Sequence, residues 1–131
     1  MNIASQIAGG RIAVGVASVL APRTAAKLFG FPSDHDNGTA RAMGRLFGVR
    51  EIVLGAMVLK LQDDPRIAPD LYRLNACVDA GDAAAMATAL IHRDGIDRGA
   101  VLTLFVALGA VAGWVRMAQE ASKPPAAYPP A

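Results

Sequence analysis

Four long apolar stretches alternate with short polar ones along the chain, at residues 3–21, 44–61, 72–91 and 99–115. Each approaches the ~20 residues that a helix needs to cross a bilayer, the fourth falling a little short. None alternates apolar and polar residues with the period of two that marks a half-buried strand. The fourth, GAVLTLFVALGAVAGWV, has Thr103 as its single polar side chain and no charge between Arg98 and Arg116. A helix that is apolar on every face is either wholly buried or in lipid. The pattern therefore predicts an all-α protein. It is an antiparallel bundle of four transmembrane helices over residues 1–116, followed by a proline-rich disordered tail over residues 117–131.

The polar intervals carry matching punctuation. Pro22 closes the first stretch, and residues 23–31 suit a short interfacial helix with Leu28, Phe29 and Phe31 on its apolar side. Pro32 and the polar residues 33–38 make a turn, and Asp63-Asp64-Pro65 opens the next connection. Pro69 fits a first helical turn. Asp94-Gly95 breaks the third helix, and Asp97 is placed to cap the fourth. Tyr72 and Trp114 fall together at one membrane face, with Phe29, Phe31 and Phe47 at the other, as aromatic belts do.

Composition agrees with a membrane location. Hydrophobic residues make up 53% of the 131 and charged residues 18%, against about 25% charged in ordinary soluble proteins. A net charge of +2, without a basic run, is no footprint for nucleic acid. Cys77 is the only cysteine, so it forms no intrachain disulfide and no cysteine-based metal site. Within an apolar helix it reads as a small buried side chain. No basic residue precedes the first apolar stretch, so that stretch reads as a retained helix and not a cleaved signal. Basic residues divide almost evenly between the two sides, and a polar tail that needs no export favours cytoplasmic termini.

Charges interrupt three of the four stretches, and they do so at similar depth. Arg11 lies near the centre of the first, Arg50 and Glu51 near the centre of the second, and Asp79 and Asp82 bracket the centre of the third. At the helical rise, all five fall within roughly 5 Å of the midplane. A lone Arg or Asp there costs about 2.5 to 3.5 kcal/mol on insertion scales. Inward-facing charges that pair are tolerated. Asp79 and Asp82 share a helix face, and arginine forks bridge carboxylates. Arg11 and Arg50 are thus expected as donors, with Asp79 and Asp82 as acceptors. Three acids against two arginines leave one carboxylate to be protonated, hydrated or matched by a cation.

Small residues offer close helix approach. Gly44 and Gly48 form one G-x-x-x-G and Gly109 and Gly113 another. Two readings of the charged cluster stand side by side: it fixes helix register, or it serves an ion, proton or ligand path. Asp34-His35-Asp36 lacks further ligands for a metal and reads as a solvated turn. His92 suits a helix C-terminus, and Met43, Met57, Met86 and Met117 read as packing. There is no phosphate loop, zinc-protease motif or nucleophile elbow, so neither cofactor nor metal is expected.

Several short motifs resemble a family of small, uncharacterised four-helix bacterial membrane proteins classed as a domain of unknown function. They are Gly10-Arg11 with Gly15, Ala21-Pro22, Leu28-Phe29-Gly30, the run Arg45-Leu46-Phe47-Gly48-Val49-Arg50-Glu51 followed by Leu54-Gly55, and Asp79. The resemblance reaches to about Val115 and excludes the tail. It implies fold and membrane location, and it brings no reaction. The expected role is an accessory or interaction protein of the inner membrane, embedded in the lipid bilayer, with a homo-oligomer or a membrane-protein partner. The alternatives are a binder or transporter of a small solute, proton or lipid headgroup through the cluster, a membrane enzyme without a recognised catalytic arrangement, and a soluble helical bundle.

Overall fold

The computed structural model describes residues 2–96 and 98–123. It is all-α, with five α-helices in the order α1 (Ile3–Leu20), α2 (Pro22–Leu28), α3 (Gly38–Leu61), α4 (Ala68–His92) and α5 (Gly99–Ala121). A 3-10 turn at Ser33–His35 precedes α3, and there is no strand among the described residues.

Each boundary has a local cause. The Asn2 side chain accepts the Ser5 N–H at 2.8 Å and starts α1. Ala21 stands before a proline, which disfavours helical backbone there, and it leaves the helix at φ −133°, ψ 61°. Pro22 then opens α2. Gly30 stops it with φ +86°, and a Cβ here would sit 1.9 Å from the Ala100 nitrogen. Only glycine fits both the left-handed turn and this close approach to the start of α5. Asn37 caps α3 by accepting the Ala40 N–H at 2.9 Å, and Pro69 occupies the first turn of α4. Both α3 and α5 outrun their apolar stretches. α3 begins at Gly38 and not at residue 44, and α5 continues to Ala121, so residues 117–121 belong to a helix and not to the tail. The expected cap Asp97 and tail residues 124–131 lie outside the described residues.

Among the described residues three helices are long and apolar enough to cross a membrane: α1, α4 and α5. The exposed side chains of α5 include the large apolar Leu102, Phe105, Val106 and Leu108, a surface suited to lipid and not to water. α3 has the length, but Arg45, Arg50 and Glu51 fall in every 18-residue stretch of it.

The helices pack most extensively as two pairs, α1 with α3 and α4 with α5. Backbones touch in the first pair. A Cβ on Gly15 would meet the Gly48 carbonyl oxygen at 2.6 Å, and one on Gly55 would meet that of Ala8 at 2.7 Å. The pair is antiparallel, and its close contact uses Gly15, Gly48 and Gly55. The expected pair Gly44 and Gly48 is therefore split: Gly44 meets only Pro22 Cβ, at 3.6 Å. A Cβ on Gly113 would touch the Ile7 side chain at 3.4 Å, and one on Gly109 would meet nothing within 4 Å. A single core joins all four long helices near the chain termini, built from Ala4, Ala8, Val58, Leu71, Tyr72, Ala76, Trp114 and Ala118.

Two expectations about side-chain location are corrected. Tyr72 and Trp114 form no belt at the membrane surface: both are buried, and their rings stack at 5.8 Å. Seven residues of further helix beyond Trp114 carry the helix end outward and leave the indole inside. Cys77 is exposed, because α4 turns Ala76 and Asp79 inward, and Cys77, about 160° around the helix from Asp79, faces outward.

Candidate functional site

The five ionisable residues that interrupt the apolar stretches meet in one chain of ion pairs. Arg11 of α1 is 6% exposed and joins two of the three acids. Its Nη1 donates to both Glu51 oxygens, at 3.0 and 2.8 Å, and its Nη2 donates to Asp79. Arg50 Nη2 donates to Asp82 at 2.5 Å and to Glu51 at 3.3 Å. The sequence is Asp79, Arg11, Glu51, Arg50, Asp82, alternating in sign across α4, α1 and α3. Neighbours on α3, Arg50 and Glu51 diverge by about 100°, yet the long arginine folds back to its neighbour. Arg11, Glu51 and Asp79 are buried, whereas Arg50 and Asp82 remain partly open.

A sixth member, Trp114, was not singled out from the sequence as part of the cluster. Its indole N–H donates to the second Asp79 oxygen at 2.8 Å, and the Arg11 guanidinium lies 5.9 Å from its ring centre. The usable signal was chemical: a buried tryptophan needs an acceptor for its N–H, and the cluster holds a surplus of acceptors. α5, the helix without a charge at this depth, thereby joins the network.

Above the network the two helix pairs diverge around a cavity of about 1060 Å³. Its walls are apolar, with Val14, Phe29, Phe47, Met86, Val106 and Ala110 among them, and its floor is Arg11, Glu51, Asp79 and Asp82. Ser18 lines it too, 1% exposed and with its hydroxyl unpartnered. Phe29 and Phe47 meet edge to face at 5.7 Å. Arg23, Lys27, His35, Asp36 and Arg41 stand at the other end of the cavity. There Asp36 lies between Arg23 and Arg41. The hydrogen bond from Arg41 holds the Asp36 carboxyl below its ordinary value, and the charge of Arg23 adds to it. Among the described residues no three His, Cys, Asp or Glu side chains converge as a metal site.

Mostly apolar walls with a few convergent polar groups are the form of a small-molecule site. Fold and cavity together define a small helical protein of membrane character with a half-open apolar hollow between its helices. Residues 8–128 match a domain of unknown function, DUF4267, and the chain belongs to that family. No curated protein and no solved structure matches it.

Proposed function

We propose that the chain is an integral membrane protein crossing the bilayer four times as an antiparallel bundle, and that its cavity binds a small amphiphile. Pairing supports α3 as the fourth span. Its mid-helix charges, Arg50 and Glu51, are matched within the bundle, while Arg41, Arg45 and Lys60 lie near its ends, where long side chains reach the interface.

The observation that carries the ligand is the cavity itself, apolar above a floor with three carboxylates for two guanidinium groups. Asp82 has one oxygen on Arg50 and the other without a hydrogen-bond donor among the described residues. Such a floor receives a polar end that donates, an alcohol or an ammonium group, and disfavours a carboxylate. Lipid equally well covers the exposed faces that a docking partner would use, so those faces favour no partner.

Trp114, the only tryptophan, reports on the floor and is shielded from lipid. The test titrates the protein in nanodiscs with dodecylamine, dodecanol and dodecanoic acid, each brominated beside its polar group. The amine and alcohol are expected to quench Trp114 saturably and the acid is not. Asp82→Asn is expected to weaken the amine by roughly tenfold. Quenching that never saturates, or that is equal for all three, removes the ligand reading.

A further inference from the structure

The far end of the cavity carries its own charged group, about 16 Å above the floor by the helical rise from Arg11 to Pro22. Arg23 of α2 and Arg41 of α3 present their Nε atoms to opposite oxygens of Asp36, at 2.7 and 2.8 Å. The carboxylate thus holds two guanidinium groups side by side. It leaves their Nη atoms without a hydrogen bond to any described residue. Lys27 follows Arg23 by one turn, and Arg45 follows Arg41 by one turn in the direction of the floor, and neither has an ion-pair partner among the described residues. Four basic side chains therefore face two acids, Asp34 and Asp36, at this end. The α4–α5 connection, brought alongside where Gly30 meets Ala100, is balanced in sequence, with Arg93 and Arg98 against Asp94 and Asp97. Exposed Leu28, Met43 and Leu46 are interleaved with the basic residues.

We propose that this rim binds the headgroup phosphate of an anionic membrane phospholipid, whose acyl chains lie along Leu28, Met43 and Leu46. Paired guanidinium forks suit phosphate oxygens. Asp36 holds the two forks together, so less ordering is needed on binding. A soluble phosphate has no use for the apolar side chains around the forks, whereas a phospholipid at the bilayer surface meets both at once. The site does not depend on an amphiphile at the floor, since the two groups share no side chain.

The experiment places the full chain in nanodiscs of phosphatidylcholine with a minority of phosphatidylglycerol, then weighs the lipid retained after gradual delipidation. Wild type is expected to enrich phosphatidylglycerol several-fold, and each of Arg23→Gln and Arg41→Gln to cut that enrichment by roughly fivefold. Lys60→Gln, at the opposite end, and Asp82→Asn, at the floor, leave it unchanged. In the unmodified protein the enrichment falls as salt rises, which tests the site without a variant. Equal retention of the two lipids, or enrichment that survives the double variant R23Q/R41Q, overturns the proposal. So does displacement by inorganic phosphate as effective as that by phosphatidylglycerol, which assigns the rim to a soluble anion. Loss of amine quenching at Trp114 with lipid enrichment intact removes the floor reading alone.

Discussion

The two ends of the molecule are built from the same four long helices and differ in how they are filled. Near the termini, Ala4, Ala8, Val58, Tyr72, Trp114 and Ala118 close the interior completely. At the other end α1 and α3 stay in backbone contact at Gly15 and Gly48, and the hollow opens between them and the α4–α5 pair. The Asp79–Arg11–Glu51–Arg50–Asp82 chain lies at the border. Small residues alone therefore do not decide which end is solid, since they occur in both. Large rings meet small ones at the closed end, Trp114 and Tyr72 against alanines. At the open end the apolar walls face each other across space, and the charged floor ends the core below them.

If the network is the septum between the two ends, its most buried donor should have the largest effect of any single change. Arg11→Ala leaves buried Glu51 with only Arg50, at 3.3 Å, and buried Asp79 with only the Trp114 N–H, and breaking a buried pair in this way costs about 3 to 5 kcal/mol. Unfolding in mild detergent measures it, and Lys60→Ala on an exposed surface is the comparison. Arg11→Lys keeps the charge but not the fork that serves two carboxylates at once, and is expected to fall between wild type and Arg11→Ala. Equal stability of Arg11→Ala and Lys60→Ala would mean that the ion pairs hold nothing together.

The next effect compares the ends directly. Ala8 is fully buried at the closed end, and Ala107 lines the hollow. Ala8→Leu overpacks a filled interior and is expected to cost about 1 to 3 kcal/mol. Ala107→Leu adds the same atoms beside empty space and is expected to stay within roughly 0.5 kcal/mol of wild type. The second variant should still weaken amine quenching at Trp114, because it takes up volume above the floor. Similar costs for both would show that the open end is packed as tightly as the closed one.

Much of this arrangement was readable from one sequence, and the unread part has a physical cause. The lengths of the apolar stretches, Pro22, Pro69 and Asp94-Gly95 located the helices, since these act on their own neighbours in the chain. That Arg11, Arg50, Glu51, Asp79 and Asp82 meet at one level of the bundle agrees with the rise per residue. What depended on rotation about the helix axes was misread. Gly109 fits a packing motif yet faces open space, while Gly15 and Gly55, which make the contacts, lie in no G-x-x-x-G. Trp114 ends an apolar stretch and not its helix, which runs on to Ala121, so the pattern of apolar residues does not give its place in the bundle. The hollow left no mark in the sequence, because a cavity is a relation among helices and no single stretch encodes it.

The smallest expected effect belongs to the rim of the open end. The folded state lowers the Asp36 pKa from its ordinary 3.8. A carboxyl whose folded pKa is depressed contributes its full stabilisation above the unfolded value and loses it as pH falls through the folded one. Melting temperatures of wild type and Asp36→Asn should therefore differ slightly near neutrality. They should converge below about pH 4, where the unfolded carboxyl takes up its proton, and continue to converge as the folded one does. The gap should also narrow with salt, because Arg23 and Arg41 meet Asp36 at the surface, where screening is strong. A gap that stays constant with pH would remove Asp36 as the charge that holds the two arginines, and the rim would then rest on the apolar contact of Phe29 with Phe47.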